Sequence, residues 1–301
     1  MSGSGSPPTI SVVVAARDDE RMLANCLASL AALHYPPDWR EVLVVDDGSR
    51  DRTLEVAGSF SVRTLEARRR GVCPARNAGI EAASGGIVAF TDPDCVVTTS
   101  WLEEIVKPFA DPAVGAVAGA IVPYPPRTLL ELYAARRMSH SQLRCLTHRY
   151  AMTPNLAFRR AALERVGGFD EAMPGGGFED ADLCWRLERE AGLELRYAPR
   201  AVVLHRYRST PREFLLQHYR YGRGLALLRR RFPSRIPWGA RERGRAYGGL
   251  ARAAAGLVAT VARGGGRVDL GLAGCDLLRH LGQRSGFLRG SLAGRAIGGR
   301  A

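Results

Sequence analysis

Lysine is nearly absent from this sequence of 301 residues, in which Lys107 is the only lysine among 43 Lys and Arg residues. Almost all of the positive charge is therefore arginine, whose planar guanidinium group matches phosphate better than a lysine ammonium does. A biased genome composition would favour arginine in the same way. Composition alone therefore leaves both explanations open.

Paired cysteines and long apolar runs are also lacking. The six cysteines are scattered and form no CxxC pair, so we interpret them as small buried apolar residues of a protein in a reducing compartment. No uncharged apolar stretch reaches the roughly 18 residues of a membrane span, because the longest candidate, residues 246–262, contains Arg252. The opening MSGSGSPP lacks the basic and apolar regions of a signal peptide. We therefore expect a cytoplasmic protein without a membrane-spanning helix.

Acidic residues are scarce in the C-terminal third. Residues 196–301 hold 22 arginines and 4 acidic residues, a net charge of +18, whereas residues 1–195 have a net charge of −5. A nucleic-acid-binding protein would interleave its basic residues with exposed aromatics or place them on a reading helix. This segment has few aromatics, so we expect no nucleic acid partner. An anionic membrane surface is the favoured partner, and a solvated tail or an oligomer contact are the alternatives.

The rest of the chain alternates between apolar β-branched segments and segments with helical spacing, which predicts an α/β fold with a doubly wound, mostly parallel sheet flanked by helices. A basic helical extension follows. The expected strands are 9–16, 41–45, 62–65, 86–90, 114–122, 152–158 and 197–204, and the expected helices are 20–32, 52–60, 74–83, 101–109, 128–146, 160–166, 181–191 and 213–231.

Acidic pairs follow the ends of two of these strands. The run IVAFTDPDC ends in Asp92 and Asp94, and EVLVV runs into Asp46 and Asp47. Asp-Pro-Asp is good turn chemistry, but neighbouring carboxylates repel each other unless a cation or hydrogen-bond donors compensate. Ligands of doubly wound sheets collect at the carboxyl ends of the strands. The placement therefore favours a metal site over a simple turn.

Four pieces occur in order along the chain: SVVVAARDDE, VVDDGSRDRT, FTDPDC, and GGFDEAMPGGGFEDADLCWRLEREAG followed by VVLHRYR. As an ordered set they resemble the family 2 glycosyltransferases of the GT-A fold, over about residues 9–231. The resemblance implies a flexible lead (1–8), a nucleotide-sugar-binding half (9–125), an acceptor-binding and catalytic half of the same GT-A domain (126–231), and a basic Arg/Gly/Ala-rich extension (232–301).

The first two pieces hold the nucleotide of the sugar donor in this family. The resemblance assigns backbone contacts with the base to Ala16 and Arg17, and it assigns Asp47 to the uracil N–H, with Asp46 as a second candidate. Arg76 in GVCPARNAG would reach the nucleotide or its diphosphate. The plainer interpretations are a turn before the helix at residue 52 for the aspartates and an ordinary solvated arginine for Arg76.

FTDPDC matches the DxD motif of the family, which implies a Mn²⁺ or Mg²⁺ ion that neutralises the diphosphate. Asp94 would be the direct ligand, and Asp92 would reach the ribose, a coordinated water or the metal itself. His205 matches the later histidine that joins the metal or the diphosphate. A lone histidine after an apolar strand is otherwise more often structural.

The segment GFEDADLCWR matches the ED motif, which implies that Asp180, with Glu179 beside it, is the general base for the acceptor hydroxyl. Acidic residues also suit the first turn of a helix, and we interpret Asp182 and Arg186 as a local i,i+4 pair. QHYRY loosely resembles an element of processive synthases, so Arg220 is assigned to phosphate.

The resemblance thus implies a metal-dependent, inverting glycosyltransferase of the hexosyltransferase type. It would move a sugar from a nucleotide-diphosphate donor, with a UDP-sugar favoured, to a hydroxyl acceptor such as a lipid-linked or cell-envelope glycan. We expect it in the cytoplasm, peripheral at the inner face of the membrane. A nucleotidyltransferase that makes nucleotide sugars is the alternative, but a Gly-rich basic phosphate loop would then replace AARDDE after the first strand. A nucleic-acid-binding protein is the remote alternative.

Overall fold

A computed structural model describes residues 6–138 and 141–293 of the chain. Its strands form one sheet of eight, in the order β3-β2-β1-β4-β7-β6-β8-β5. The strands are β1 (Ile10–Ala16), β2 (Arg40–Asp46), β3 (Arg63–Glu66), β4 (Ile87–Thr91), β5 (Cys95–Val97), β6 (Val114–Pro123), β7 (Leu156–Arg159) and β8 (Glu194–His205). Every predicted strand is present, and β5 was not predicted.

Helices alternate with the strands up to residue 191, and three longer helices follow residue 210 in the described residues. The helices are α1 (Glu20–Ala31), α2 (Thr53–Gly58), α3 (Val72–Ala82), α4 (Trp101–Val106), α5 (Leu129–Met138), α6 (Ser141–Leu146), α7 (Arg160–Val166), α8 (Glu179–Arg186), α9 (Pro211–Arg231), α10 (Ala240–Ala262) and α11 (Arg267–Ala293). The single helix predicted over 128–146 is represented by α5 and α6. The described part of the expected basic extension is helical, and it contains the two long helices α10 and α11.

The register of the first four strands aligns their carboxyl ends. Ile10 to Ala16 are apolar apart from Ser11 and nearly all buried, as expected for a strand covered on both faces. β1 pairs in parallel with β2, so that Ala16 lies opposite Asp46. It also pairs in parallel with β4, so that Val14 lies opposite Thr91. The loops after β1, β2 and β4, which carry the predicted site residues, therefore leave the sheet at the same edge.

The short strand β5 adds a connection that the sequence did not suggest. It pairs antiparallel with β8, and this register sets Cys95 opposite His205. β8 in turn lies parallel to β6. Three residues after a turn carry too little periodicity to predict a strand, but this pairing brings the second acidic pair to the predicted histidine.

The described residues divide into two compact units. The first, residues 6–124, 141–171 and 180–206, contains the sheet. The second, residues 125–138, 172–179 and 207–293, contains α5 and α9 to α11. Helix α9 therefore belongs to the same unit as α10 and α11, and the predicted limit at 231/232 stays a prediction. The division into donor and acceptor halves stays a prediction.

Helices α9 and α11 pack closely in the second unit because glycine lines their contact. A Cβ atom on Gly222 would lie 2.1 Å from the Gln283 carbonyl oxygen, and one on Gly286 would lie 2.0 Å from the Tyr219 carbonyl oxygen. Only glycine permits backbones to approach so closely. Among the described residues, no helix is both long and apolar enough to cross a membrane.

Candidate active site

Asp46 at the end of β2 is used to build its own turn. Its carboxylate oxygens accept hydrogen bonds from the Gly48 N–H at 3.0 Å and the Ser49 N–H at 3.1 Å, and from the Ser49 hydroxyl. The side chain is buried, with 4% of the residue exposed. The turn interpretation thus describes Asp46 well, and these donors occupy both of its oxygens.

Asp47 has other partners than Asp46, and it contacts the residues at the end of β1. One carboxylate oxygen accepts a hydrogen bond from the Gly71 N–H at 2.6 Å, and the other lies 3.6 Å from Arg17 Nη1. The Asp47 N–H donates to the Ala16 carbonyl at 2.9 Å. Three of the residues assigned to the nucleotide are therefore neighbours, and the Arg17 side chain keeps 45% exposure.

The acidic residues of AARDDE connect the two loops at this edge, a role that the sequence did not reveal. Asp18 accepts a hydrogen bond from the Arg50 N–H at 2.7 Å, and its own N–H donates to the Ser49 hydroxyl at 3.0 Å. Its φ of 52° lies in the left-handed region, which aspartate tolerates better than most residues. These bonds hold the loop of Arg17 against the loop of Asp47.

The DPD segment is a turn and a charged cluster at the same time. The Cys95 N–H donates to the Asp92 carbonyl at 3.0 Å, which closes the turn. Arg76 Nη2 lies 3.1 Å from an Asp92 oxygen, and its guanidinium lies over the Phe169 ring, 5.4 Å from the ring centre. Arg76 is 4% exposed, so the interpretation as a solvated arginine is wrong.

The pKa of the Asp92 carboxyl is raised above its ordinary value. Burial is the largest cause, the Arg76 charge opposes it, and the Asp94 charge adds to it. A buried carboxylate beside another carboxylate favours the neutral form unless positive charge is supplied. Positive charge near Asp92 and Asp94 would therefore favour the ionised form of Asp92, and Arg76 supplies part of that charge.

Asp94 lies on the other side of this turn, beside His205. Its Oδ1 atom is 3.4 Å from His205 Nε2, and its carbonyl accepts a hydrogen bond from the Arg206 N–H at 3.0 Å. The antiparallel pairing of β5 with β8 produces both contacts. The predicted histidine therefore reaches the acidic pair, and its close contact is with Asp94.

Cys95 is a member of this cluster that the motif did not suggest. Its thiol donates to Asp94 Oδ1 at 3.7 Å. The residue is fully buried, and burial raises the pKa of its thiol well above the ordinary value. The thiol is therefore a hydrogen-bond donor to the carboxylate in the protein without metal.

The donor set fits a divalent cation. The carboxylate of Asp94, the imidazole of His205 and the thiol of Cys95 lie with their ligand atoms within 4.8 Å of one another. Carboxylate oxygen and imidazole nitrogen suit Mn²⁺, and carboxylate suits Mg²⁺, whereas a protonated thiol is a poor ligand for either. Asp94 and His205 would hold the ion, with Asp92 adjacent.

Glu179 and Asp180 begin α8 but have different surroundings. Glu179 is buried and accepts hydrogen bonds from the Gly176 N–H at 3.2 Å and the Gly177 N–H at 2.6 Å. These bonds fix the loop that contains the three glycines 175–177, here called the glycine loop. Asp180 is half-buried, and one of its oxygens accepts the Ala181 N–H at 2.8 Å. Phe178 before them has a φ of 68°, a costly conformation that is often found near functional sites.

Asp182 and Arg186 form the predicted local pair. Arg186 Nε lies 2.8 Å from an Asp182 oxygen, and the Asp182 side chain is 0% exposed. Arg186 also donates to the Val166 and Gly168 carbonyls. Arg186 therefore ties α8 to the end of α7, and the predicted local pair is present.

Arg220 belongs to the second unit, on α9. Its side chain is exposed, and its backbone passes the glycine loop so closely that a Cβ atom on Gly177 would lie 2.6 Å from the Arg220 carbonyl oxygen. Gly177 is thus required by packing. The phosphate role of Arg220 stays a prediction.

A doubly wound sheet with acidic residues at the ends of its strands is the arrangement expected of an enzyme that binds its ligand at that edge. Residues 11–167 match the family model described as glycosyl transferase family 2. The chain is 33% identical over 238 residues to the pre-mycofactocin glycosyltransferase of Mycobacterium tuberculosis, a match that covers 75% of this chain and 48% of that protein. It is 32% identical over 226 residues to the glycosyltransferase AglE of Haloferax volcanii, which covers 72% of this chain and 73% of that protein. The chain belongs to glycosyl transferase family 2.

Solved structures agree on the fold. The mannosyltransferase from Pyrobaculum calidifontis, in complex with GDP-Man and Mn²⁺, aligns with a TM-score of 0.59 at 21% identity over 98% of this chain and 76% of that chain. Glucosyl-3-phosphoglycerate synthase from M. tuberculosis, in complex with Mn²⁺, UDP and its product, aligns with a TM-score of 0.54 at 24% identity over 74% and 80%. The predicted GT-A fold is therefore confirmed. The chain spans about half the length of the mycobacterial glycosyltransferase.

Proposed function

We propose that this chain transfers a sugar from a nucleoside diphosphate sugar, with a UDP-sugar favoured, to a hydroxyl group of a glycan or lipid-linked acceptor of the cell envelope. The reaction uses Mn²⁺ or Mg²⁺. The observation that carries the proposal is the cluster of Asp92, Asp94, Arg76 and His205 at the strand edge that also presents Asp47. The Pyrobaculum mannosyltransferase, which has the same fold, binds GDP-Man and Mn²⁺.

The donor base is recognised by Asp47 and Arg17. A carboxylate beside a guanidinium offers an acceptor next to a donor. Uracil presents a ring N–H flanked by carbonyl groups, and guanine presents a ring N–H beside one carbonyl group, so both match this pair. Neutral cytosine and adenine have no such ring N–H. We therefore assign base recognition to Asp47, and we assign to Asp46 the turn that positions it.

The diphosphate lies at the acidic pair in this proposal. Asp94 and His205, with Asp92 adjacent, would hold a divalent cation, which would supply Lewis acid stabilisation of the leaving nucleoside diphosphate. Arg76 orients the Asp92 carboxylate through its contact of 3.1 Å and adds positive charge near the leaving group. Arg220 is assigned to phosphate, and the donor half is residues 9–125.

Asp180 is the general base in the acceptor half, residues 126–231. Asp180 lies half-buried in the first turn of α8, and a carboxylate in such a position can take the acceptor hydroxyl proton. The acceptor oxygen forms a bond to the anomeric carbon while the bond from that carbon to the diphosphate oxygen breaks. The proton goes to Asp180 and the electron pair to the diphosphate. One displacement inverts the anomeric configuration, and a product with the configuration of the donor would refute the proposal. Glu179 keeps the loop in place.

A thermal-shift panel of UDP, GDP, CDP and ADP, with and without Mn²⁺, tests the proposal. We expect UDP with Mn²⁺ to stabilise the protein most, GDP next, and CDP and ADP least. Asp47→Asn should lose the preference among bases, whereas the exposed Asp38→Asn should keep it. If no nucleotide stabilises the protein, the proposed function fails.

The basic C-terminal third is proposed to hold the enzyme at the inner face of the cell membrane as a peripheral protein. Arginine-rich surfaces are attracted to anionic lipid by about 1 kcal/mol for each residue near the surface. Such an attachment would suit an acceptor that is lipid-linked or part of the envelope.

A further inference from the structure

Helices α9 and α11 run side by side in the same direction, separated by glycines. A Cβ atom on Gly286 would lie 2.0 Å from the Tyr219 carbonyl oxygen, and one on Gly290 would lie 3.0 Å from the Arg223 carbonyl oxygen. The residue numbers of the contacting positions therefore increase in the same direction along α9 and α11, which shows that the two helices are parallel. The two backbones are in close contact at these glycines. The larger side chains lie on either side of the contact, and an open groove remains between those of α9 and those of α11.

This groove, here called the α9–α11 groove, is apolar. Its volume is about 360 Å³, and its lining consists of Leu215, Leu216, Tyr219, Leu278, Leu281 and Ser285. Leucines also stand out from it into solvent: Leu216 is 40% exposed and Leu281 43%. The spacing from Leu281 to Leu288 and Leu292 keeps all three on one face of α11, and the last two are 50% and 62% exposed.

The flanks of the groove are basic. α9 has six arginines and a single acidic residue, Glu213, which accepts a hydrogen bond from the Thr210 hydroxyl at the start of the helix. α11 has no acidic residue after Asp276, and that carboxylate is bonded to Tyr133 on the α5 side. Arg223 and Arg289 are both exposed, and the Arg223 backbone lies beside Gly290, the residue that follows Arg289.

We propose that the α9–α11 groove and its leucine stripe are the surface with which this protein docks on an anionic lipid bilayer. An acyl chain enters the groove between Leu216 and Leu281, Leu288 enters the acyl region beside it, and Arg223 and Arg289 meet lipid phosphates. This inference rests on the proposed peripheral membrane association and identifies the surface that carries it.

Charge complementarity selects a bilayer over a second copy of the chain. A twofold contact through this face would bring two sets of arginines together with no carboxylates between them, and like charges in contact destabilise an interface. A bilayer that contains anionic lipid matches both features of this face, because its apolar interior can contact the leucines and its negatively charged headgroups can contact the arginines.

Flotation of the full chain with vesicles tests the inference. Vesicles of phosphatidylcholine alone are compared with vesicles that also contain phosphatidylglycerol, at low and at high salt. The test variant is Leu281→Asn with Leu288→Asn. The matched control is Val258→Asn with Val261→Asn on α10, where the side chains are 67% and 61% exposed and lie away from the groove. Arg223→Gln with Arg289→Gln tests the charges.

We expect wild-type protein and the valine variant to float with anionic vesicles, and the leucine variant to bind more than about tenfold more weakly, since each leucine loses the transfer of its side chain to an apolar phase. The arginine variant should lose the preference for anionic vesicles. An unchanged leucine variant, or an equal loss in the valine variant, would overturn the inference. So would a wild-type dimer that the leucine variant converts to monomer without any binding to vesicles. Stabilisation by UDP with Mn²⁺ is measured on every variant, so a failure at the membrane is distinguished from a failure of the donor site.

Discussion

Arg76 is the residue whose removal tests the organisation of the acidic cluster most directly. Its guanidinium is the positive charge 3.1 Å from Asp92, in a pair whose side chains are 5% and 24% exposed. Arg76→Met removes the charge but keeps an unbranched side chain of similar length over the Phe169 ring. The substitution therefore leaves the Asp92 carboxylate beside Asp94 without that neutralising charge.

The expected cost follows from burial. Removing one partner of a buried ion pair costs about 3–5 kcal/mol. We take the lower end, about 3 kcal/mol, because the Asp92 side chain is 24% exposed and its carboxylate can bind a proton. For a unit of this size that loss corresponds to a decrease in Tm of roughly 6–12 °C.

The sign of the pH dependence is fixed by the same carboxyl. Burial raises the pKa of Asp92 in the folded protein, and loss of the Arg76 charge raises it further. The folded variant then binds a proton that the unfolded chain releases, so its deficit is largest at neutral pH and narrows as pH falls toward the raised pKa.

Thermal unfolding in EDTA and in Mn²⁺ provides the assay. Mn²⁺ should stabilise Arg76→Met more than wild type, because the metal replaces part of the missing positive charge. The matched control is Arg69→Met, since Arg69 also lies 3.1 Å from a carboxylate, that of Glu171, but with side chains 78% and 31% exposed. Exposed pairs contribute less than about 1 kcal/mol. The reasoning is refuted if both variants are equally stable in EDTA, or if Mn²⁺ stabilises Arg76→Met no more than wild type.

The parts of the fold that the sequence predicted are those with local causes. The run from Ile10 to Ala16 is apolar and largely β-branched, and such a run has few alternatives to a buried strand. Acidic residues after β2 and β4 had to share one edge once the strands were parallel. The motif order then led to the correct family.

The remaining parts depend on contacts between distant residues. β5 exists because Cys95 pairs with His205, which is 110 positions away in the chain. Asp46 and Asp47 are adjacent acidic residues, and only the turn donors and the Gly71 N–H distinguish their roles. No local pattern encodes those partners. The basic extension was predicted from composition, which reports charge but not the glycine contacts that pair α11 with α9.

Three further predictions concern single side chains. Asp180→Asn should retain stabilisation by UDP with Mn²⁺ while release of nucleoside diphosphate falls by more than about 10²-fold; unchanged turnover would exclude Asp180 as the base. Cys95→Ala should weaken Mn²⁺ binding about tenfold, measured by electron paramagnetic resonance titration, whereas Cys95→Ser keeps a donor to Asp94 and should bind nearly as well as wild type. Equal losses would contradict a role for that hydrogen bond. His218 on α9 is 5% exposed, and burial lowers the pKa of its imidazole to about 4. The imidazole binds a proton near pH 6.5 in the unfolded chain but only near pH 4 in the folded chain, so it is neutral in the folded protein at neutral pH. The free energy of unfolding therefore decreases as pH falls between those values, by up to about 3 kcal/mol. His218→Phe should abolish that part of the pH dependence in denaturant unfolding, whereas the exposed His34→Gln should leave it unchanged, and a difference between wild type and His218→Phe that is constant from pH 7 to pH 4 would show that the buried imidazole is not its source.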